Sequence, residues 1–177
     1  MSGATMFKMS RIVTVITILI GFSGCAQHLV IDQYPMKPGM VPEFRGSQPV
    51  ALVNAQANKE NMKAGSASMV KYTANAHQVT DTAIQVLEAE LEKRNIDTSE
   101  DADKQLRLAV YDLHIVYGFG TYRCILLLKA KTGDGYNGSF EGNNVSPHNP
   151  ERSCGGSVLS AVAAMLNDDT ILAYLKH

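Results

Sequence analysis

The chain has no tryptophan, and aromatic residues make up only 7% of it. Platforms of stacked rings for carbohydrate or single-stranded nucleic acid therefore lack their material. A dominant charge is missing too. The 16 Lys and Arg stand against 17 Asp and Glu, and a net charge of −1 excludes the large positive field that phosphate backbones require. The five histidines, His28, His77, His114, His148 and His177, include no pair four residues apart and no His-Glu-x-x-His helix. A zinc site is unsupported, and neither metal nor cofactor is expected. Gly118-Phe-Gly120 and Gly133-Asp-Gly135 read as turns, because neither leads into the Lys and helix of a phosphate-cradling loop. Long apolar runs are confined to residues 12–20, well short of the roughly 20 residues that span a bilayer as a helix. What remains is 45% hydrophobic and 19% charged, the composition of one globular domain.

The apolar run has a meaning of its own. Lys8 and Arg11 precede it, and Gly21, Ser23, Gly24 and Cys25 follow. A basic start, a short apolar core and small residues form an export signal. Its ending resembles the bacterial lipobox, with Phe22 where Leu is usual. That resemblance makes Cys25 the lipid attachment site and new N-terminus, and residues 1–24 a cleaved signal. Translation starts at Met1 or at Met6. Ala26, in place of the Asp that retains such proteins at the inner membrane, points to the outer membrane. The alternative is an ordinary cleaved signal or an uncleaved anchor, with Cys25 incidental. Loss of Lys8 and Arg11 leaves a mildly acidic mature chain.

Residues 25–49 carry Pro35, Pro38, Pro42 and Pro49 and read as an extended, solvated tether at up to ~3.1 Å per residue. A strand at residues 28–32, pairing with a sheet edge, is the alternative. The periplasmic domain is expected at 50–177, opening on a strand at 50–53. Residues 54–68 read as a loop or irregular hairpin, and 69–73 as a short strand. The spacing of Val79, Ala83, Val86, Leu87 and Leu91 predicts a helix over 77–94, capped by Asn75 or Thr80. Asn95 suits the left-handed cap beyond it, with Ile96 packing back. Strands follow at 105–117, with a bulge near Tyr111 and Asp112 where the apolar phase slips, at 121–131 and at 136–141. A loop over 142–150, a helix over 151–166 and a terminal turn complete the chain. The predicted fold is α+β: two layers, an antiparallel three- to four-stranded sheet with two helices on one face.

This layout resembles the YajG-type family of small Gram-negative outer-membrane lipoproteins. It is more distantly similar to LptE-like lipoproteins and to the auxiliary lipoproteins of lipid-transport ABC systems. The resemblance rests on Gly24-Cys25-Ala26, the Pro-rich segment, Val50-Ala-Leu-Val53, the helix ending Val86 to Ile96, the strands at 106–131 and the ending Ser157 to Leu175. It covers most of the chain as architecture, without a short diagnostic motif. It implies a periplasm-facing lipoprotein with no catalytic residues to carry over, and the distant relatives imply an envelope protein partner. Cys124 and Cys154 depart from the family pattern.

In an oxidising periplasm Cys124 and Cys154 are candidates for a disulfide joining a central strand to the last helix, the alternative being two free thiols. A thiol-dependent enzyme is a further reading: Cys154 lies near a helix start with His148 six residues upstream, but no third orienting group is marked. Asp168 and Asp169 read as a helix cap in preference to a paired-carboxylate site. Ile125 and Leu127 fall on the face opposite Leu126 and Leu128, leaving an apolar patch unless the tether covers it. Taken together, these readings predict a non-catalytic binding or structural lipoprotein, with an accessory subunit of an envelope complex for lipid transport, wall synthesis or secretion as the alternative.

Overall fold

The structure, a computed structural model, describes residues 26–67 and 69–177. Its elements run β1 (Ala26–Leu29), β2 (Val50–Asn54), β3 (Asn61–Ala67), β4 (Val70–Asn75), α1 (Ala76–Glu92), β5 (Lys104–Gly118), β6 (Thr121–Thr132), β7 (Asn137–Ser146), α2 (Pro150–Met165) and α3 (Asp169–Lys176). The α+β class stands, but the three- to four-stranded antiparallel sheet does not. The described strands form one seven-stranded mixed sheet in the order β1-β4-β3-β5-β6-β7, with β2 also beside β5. Three pairings are parallel, β1 with β4, β2 with β5 and β3 with β5. Parallel neighbours need a crossover, and α1 lies in the connections that bring β2 and β3 to their parallel partner β5.

The long strand β5 explains how seven strands share one sheet. Along one edge it pairs with β6 from Leu106 to Gly118. Its other edge is divided: β2 takes Lys104 to Leu108, and β3 takes only Ile115 and Val116. The register shift expected near Tyr111 lies between Val110 and Asp112, at the seam between these partners. Side chains satisfy the backbone there: Val110 N–H donates to Thr80 Oγ1 at 3.0 Å, and its carbonyl accepts from Gln56 Nε2 at 2.6 Å. Thr80 is thus not the helix cap. Asn75 is, accepting from Gln78 N at 3.1 Å, while Asn95 takes the left-handed position (φ 55°) beyond the helix and Ile96 is buried.

One face of the sheet builds the core. Leu106, Leu108, Val110, Leu113 and Ile115 of β5 meet Leu126 and Leu128 of β6 under Val86, Leu87 and Leu91 of α1 and Val158, Val162 and Met165 of α2. Asp168 caps α3, accepting from the amides of Thr170 and Ile171 at 3.0 Å each.

The expected solvated tether is also corrected. Residue 26 already begins β1, whose pairing with β4 places a strand just ahead of the alternative at 28–32. Residues 30–49 then run as a strap across the helical layer, with Ile31, Met36, Val41 and Phe44 buried. Proline prevents helix here, but it does not prevent burial. Arg94 holds the strap at the end of α1. Its Nη1 donates to Glu90 Oε1 at 2.5 Å, its Nη2 to the Pro42 carbonyl at 3.2 Å, and its guanidinium lies 4.9 Å from the Phe44 ring centre. Burial raises the Glu90 pKa, but hydrogen bonds from Lys93 and Arg94 outweigh it and hold the carboxyl below its ordinary 4.5. A folded-state pKa below the unfolded one stabilises above 4.5, and the contribution fades as pH falls through the folded value. The denaturant midpoint of the protein is therefore expected to fall more steeply in acid than that of Glu90→Gln. Parallel acid limbs would show that the Glu90–Arg94 pair contributes nothing to the pH dependence.

Candidate functional site

The sheet has one end at which the start of β1, turns and exposed apolar side chains meet. Ala26 pairs with Lys71, Lys71 with Ser66, Ser66 with Val116, Val116 with Arg123 and Arg123 with Val145. This single register row crosses six strands, ~24 Å at the usual strand spacing. Ala26, Lys71, Val116, Arg123 and Val145 are all exposed in it. Just beyond the row lie the β3–β4 turn, with Met69 84% exposed, and the β5–β6 turn, with Phe119 wholly exposed. Phe119 and Gly120 have φ of 52° and 75°. Two successive positive φ values make a type I′ turn, which suits Gly or Asn and costs a bulky L-residue about 1 kcal/mol. Tyr117 is half-exposed and stacks on Tyr122 (centroids 4.8 Å apart, tilted 50°), while Tyr122 meets the buried Tyr72 edge-on at 6.2 Å. Burial first, then the neighbouring Tyr122, pushes the Tyr72 hydroxyl pKa up to about 12, so this aromatic backing stays neutral.

Among the described residues no helix covers the other face of the sheet, away from the core. Half-buried Ile125 and Leu127 lie there in rows with His114 and Asn143, and with Asp112 and Glu141. The strap does not cover them, since it crosses the helices. Farther along, Arg107 pairs with Lys131, and Lys129 Nζ lies 3.7 Å from the Tyr111 ring centre.

Cys25 lies outside the described residues. Cys124 and Cys154 are joined by a disulfide with Cα atoms 5.0 Å apart, tying β6 to α2, and both residues are completely buried. The thiol-enzyme reading therefore loses its nucleophile: Cys154 Sγ is bonded, and no solvent reaches it. His148 hydrogen-bonds through its backbone amide to Ser146 Oγ at 3.2 Å. Asp168 caps α3 and accepts from the Tyr136 hydroxyl at 3.1 Å, so Asp168 and Asp169 form no catalytic pair. Among the described residues no group of three or more His, Cys, Asp or Glu is placed to hold a metal ion. Among them, too, no single helix is long and apolar enough to cross a membrane. The pair α2 and α3 passes by composition, but it is bent by 72°, and its apolar residues fill the core.

No protein-family model and no curated protein sequence matches the chain. Any functional reading therefore rests on the residues themselves. Sequence reasoning did not find the register row, because it joins residues up to 119 positions apart through pairings that no local pattern announces. The one local signal was an aromatic between two glycines in Gly118-Phe-Gly120.

Proposed function

We propose that this protein is an exported, lipid-anchored component of the bacterial cell envelope, held to the periplasmic face of the outer membrane through Cys25, with a non-catalytic binding or structural role. The observation that supports it most is the disposal of the three cysteines. Two are spent on a buried disulfide, a bond that persists in oxidising compartments such as the periplasm. The third stands at the end of an export signal, followed directly by β1. A multiply acylated cysteine is a stable anchor, since each buried methylene is worth ~0.8 kcal/mol and a single chain is marginal. Ala26 after the cysteine supports the outer membrane.

Globomycin is expected to make an uncleaved precursor accumulate, and Cys25→Ala to abolish acyl labelling and release from the signal. Unchanged processing and labelling in both would reject the anchor. The half-buried pair Ile125 and Leu127, on the sheet face away from the helices, favours a second reading, an accessory subunit of an envelope complex. Crosslinking in intact envelopes should then capture one stoichiometric partner through that face, and recovery of the free monomer alone would count against it.

A further inference from the structure

We infer that the end of the sheet carrying Ala26, Met69 and Phe119 lies flat on the lipid surface, with the two turns inserted at the headgroup level. The inference rests on the anchor reading and deepens it, by stating how the domain meets the bilayer. Cys25 is one peptide bond from Ala26, a Cα separation of ~3.8 Å. Ala26 is already paired with Lys71, so no spacer separates an acylated Cys25 from the folded sheet. The register row fixes which part of the domain must then face the membrane: the row ends at Val145, on the strand farthest from β1.

The residues on that end suit an interface with lipid. Phe119 and Met69 project from adjacent turns with none of the described residues over them, and Val116, Tyr117 and Val145 are about half exposed behind them. Aromatic rings are favoured at the headgroup level, and long cationic side chains extend to it while their stems lie on apolar surface. Lys71 and Arg123 stand in the same row and supply two cations for anionic headgroups. Glu151, the acid tied to this end, accepts from Gln27 Nε2 at 2.9 Å. The left-handed Phe119 adds to the case, since a glycine would relieve the backbone there and an apolar tip would be lost.

The absence of tryptophan makes the test direct. Phe119→Trp is expressed as the full-length chain, recovered from membranes and reconstituted in vesicles of phosphatidylethanolamine and phosphatidylglycerol, with or without brominated acyl chains. Asn137→Trp, on the opposite end of the sheet, serves as control, and Met69→Trp repeats the measurement from the neighbouring turn should the first variant fold poorly. Acylation of Cys25 is scored separately by metabolic labelling. The expected result is a blue-shifted indole at position 119, quenched by bromolipid and sheltered from iodide, with the indole at position 137 unquenched and in water. An acylated chain whose indole at 119 is open to iodide and untouched by bromolipid would overturn this inference and leave the anchor standing. An indole that is blue-shifted but not quenched by bromolipid would also overturn it, placing a second copy or a protein partner on this end. A chain that is not acylated yet still quenched at position 119 would sink the anchor and keep the surface.

Discussion

Replacing Cys124 and Cys154 together by alanine is expected to lower the stability of the domain by ~3–4 kcal/mol, the chain-entropy value for a closed loop of 30 residues. For a domain of this size that is a fall in Tm of roughly 10 °C. The bond ties the β6 strand to the first turns of α2, and β6 is central: it pairs with β5 on one side and β7 on the other. Both sulfur-bearing residues are completely buried, so reductant given to the folded protein and removed before heating should leave Tm unchanged, whereas reductant given during denaturation, with the thiols then blocked and the chain refolded, should approach the variant. Thermal unfolding of the two samples side by side makes the comparison. Equal midpoints for the bridged protein and the double variant would show that the fold does not depend on the bond.

Gly142→Ala is expected to be nearly as damaging, at about 3 kcal/mol from overpacking. Gly142 lies opposite Leu126 in β7, where α2 passes closely over the strand. An added Cβ would fall on the Ser157 carbonyl oxygen and within 2.7 Å of Ala161 N. Both are backbone atoms of a helix and cannot rotate away. The neighbouring Asn143→Ala, on the exposed side of the strand, should stay within about 0.5 kcal/mol of the parent. Denaturant midpoints for the two variants decide the matter, and similar values would mean that α2 can move off the sheet at little cost.

This close approach also explains what was hidden in the sequence. Residues 142–146 read as loop because their inward positions, Gly142, Asn144 and Ser146, are small or polar, Phe140 just before them being the one large inward side chain of β7. Space under α2 is too tight for the Val and Ile that announce a strand. Asn61-Met-Lys-Ala-Gly-Ser-Ala67 is similarly silent, and Gly65 is required because a Cβ there would strike the Ile115 carbonyl where β3 meets β5. Parallel pairing left no local signature at all. By contrast, the helices, the bulge at Tyr111, the caps at Asn75, Asn95 and Asp168 and the opposite phase of Ile125 and Leu127 were legible, because each depends on neighbours a few residues away. The buried strap was misread because proline density signals the absence of helix, while the apolar residues between the prolines carry no period. Of the candidate site, Cys25 and the Cys124–Cys154 pair were visible as residue types in the sequence. The row from Ala26 to Val145 needed the topology.

The divided edge of β5 has a mechanical consequence. Strands β1, β4 and β3 hang together, yet their backbone joins β5 only at Gly65 with Ile115 and Ser66 with Val116. Tension entering at residue 26 is taken up first as shear along the four residue pairs between β1 and β4. It reaches the central strands through a junction half that wide. A domain fastened at Cys25, as proposed, and drawn away from that point would thus yield at this narrow joint, while the β5–β6–β7 unit, clamped to α2 by its covalent bridge, kept its shape.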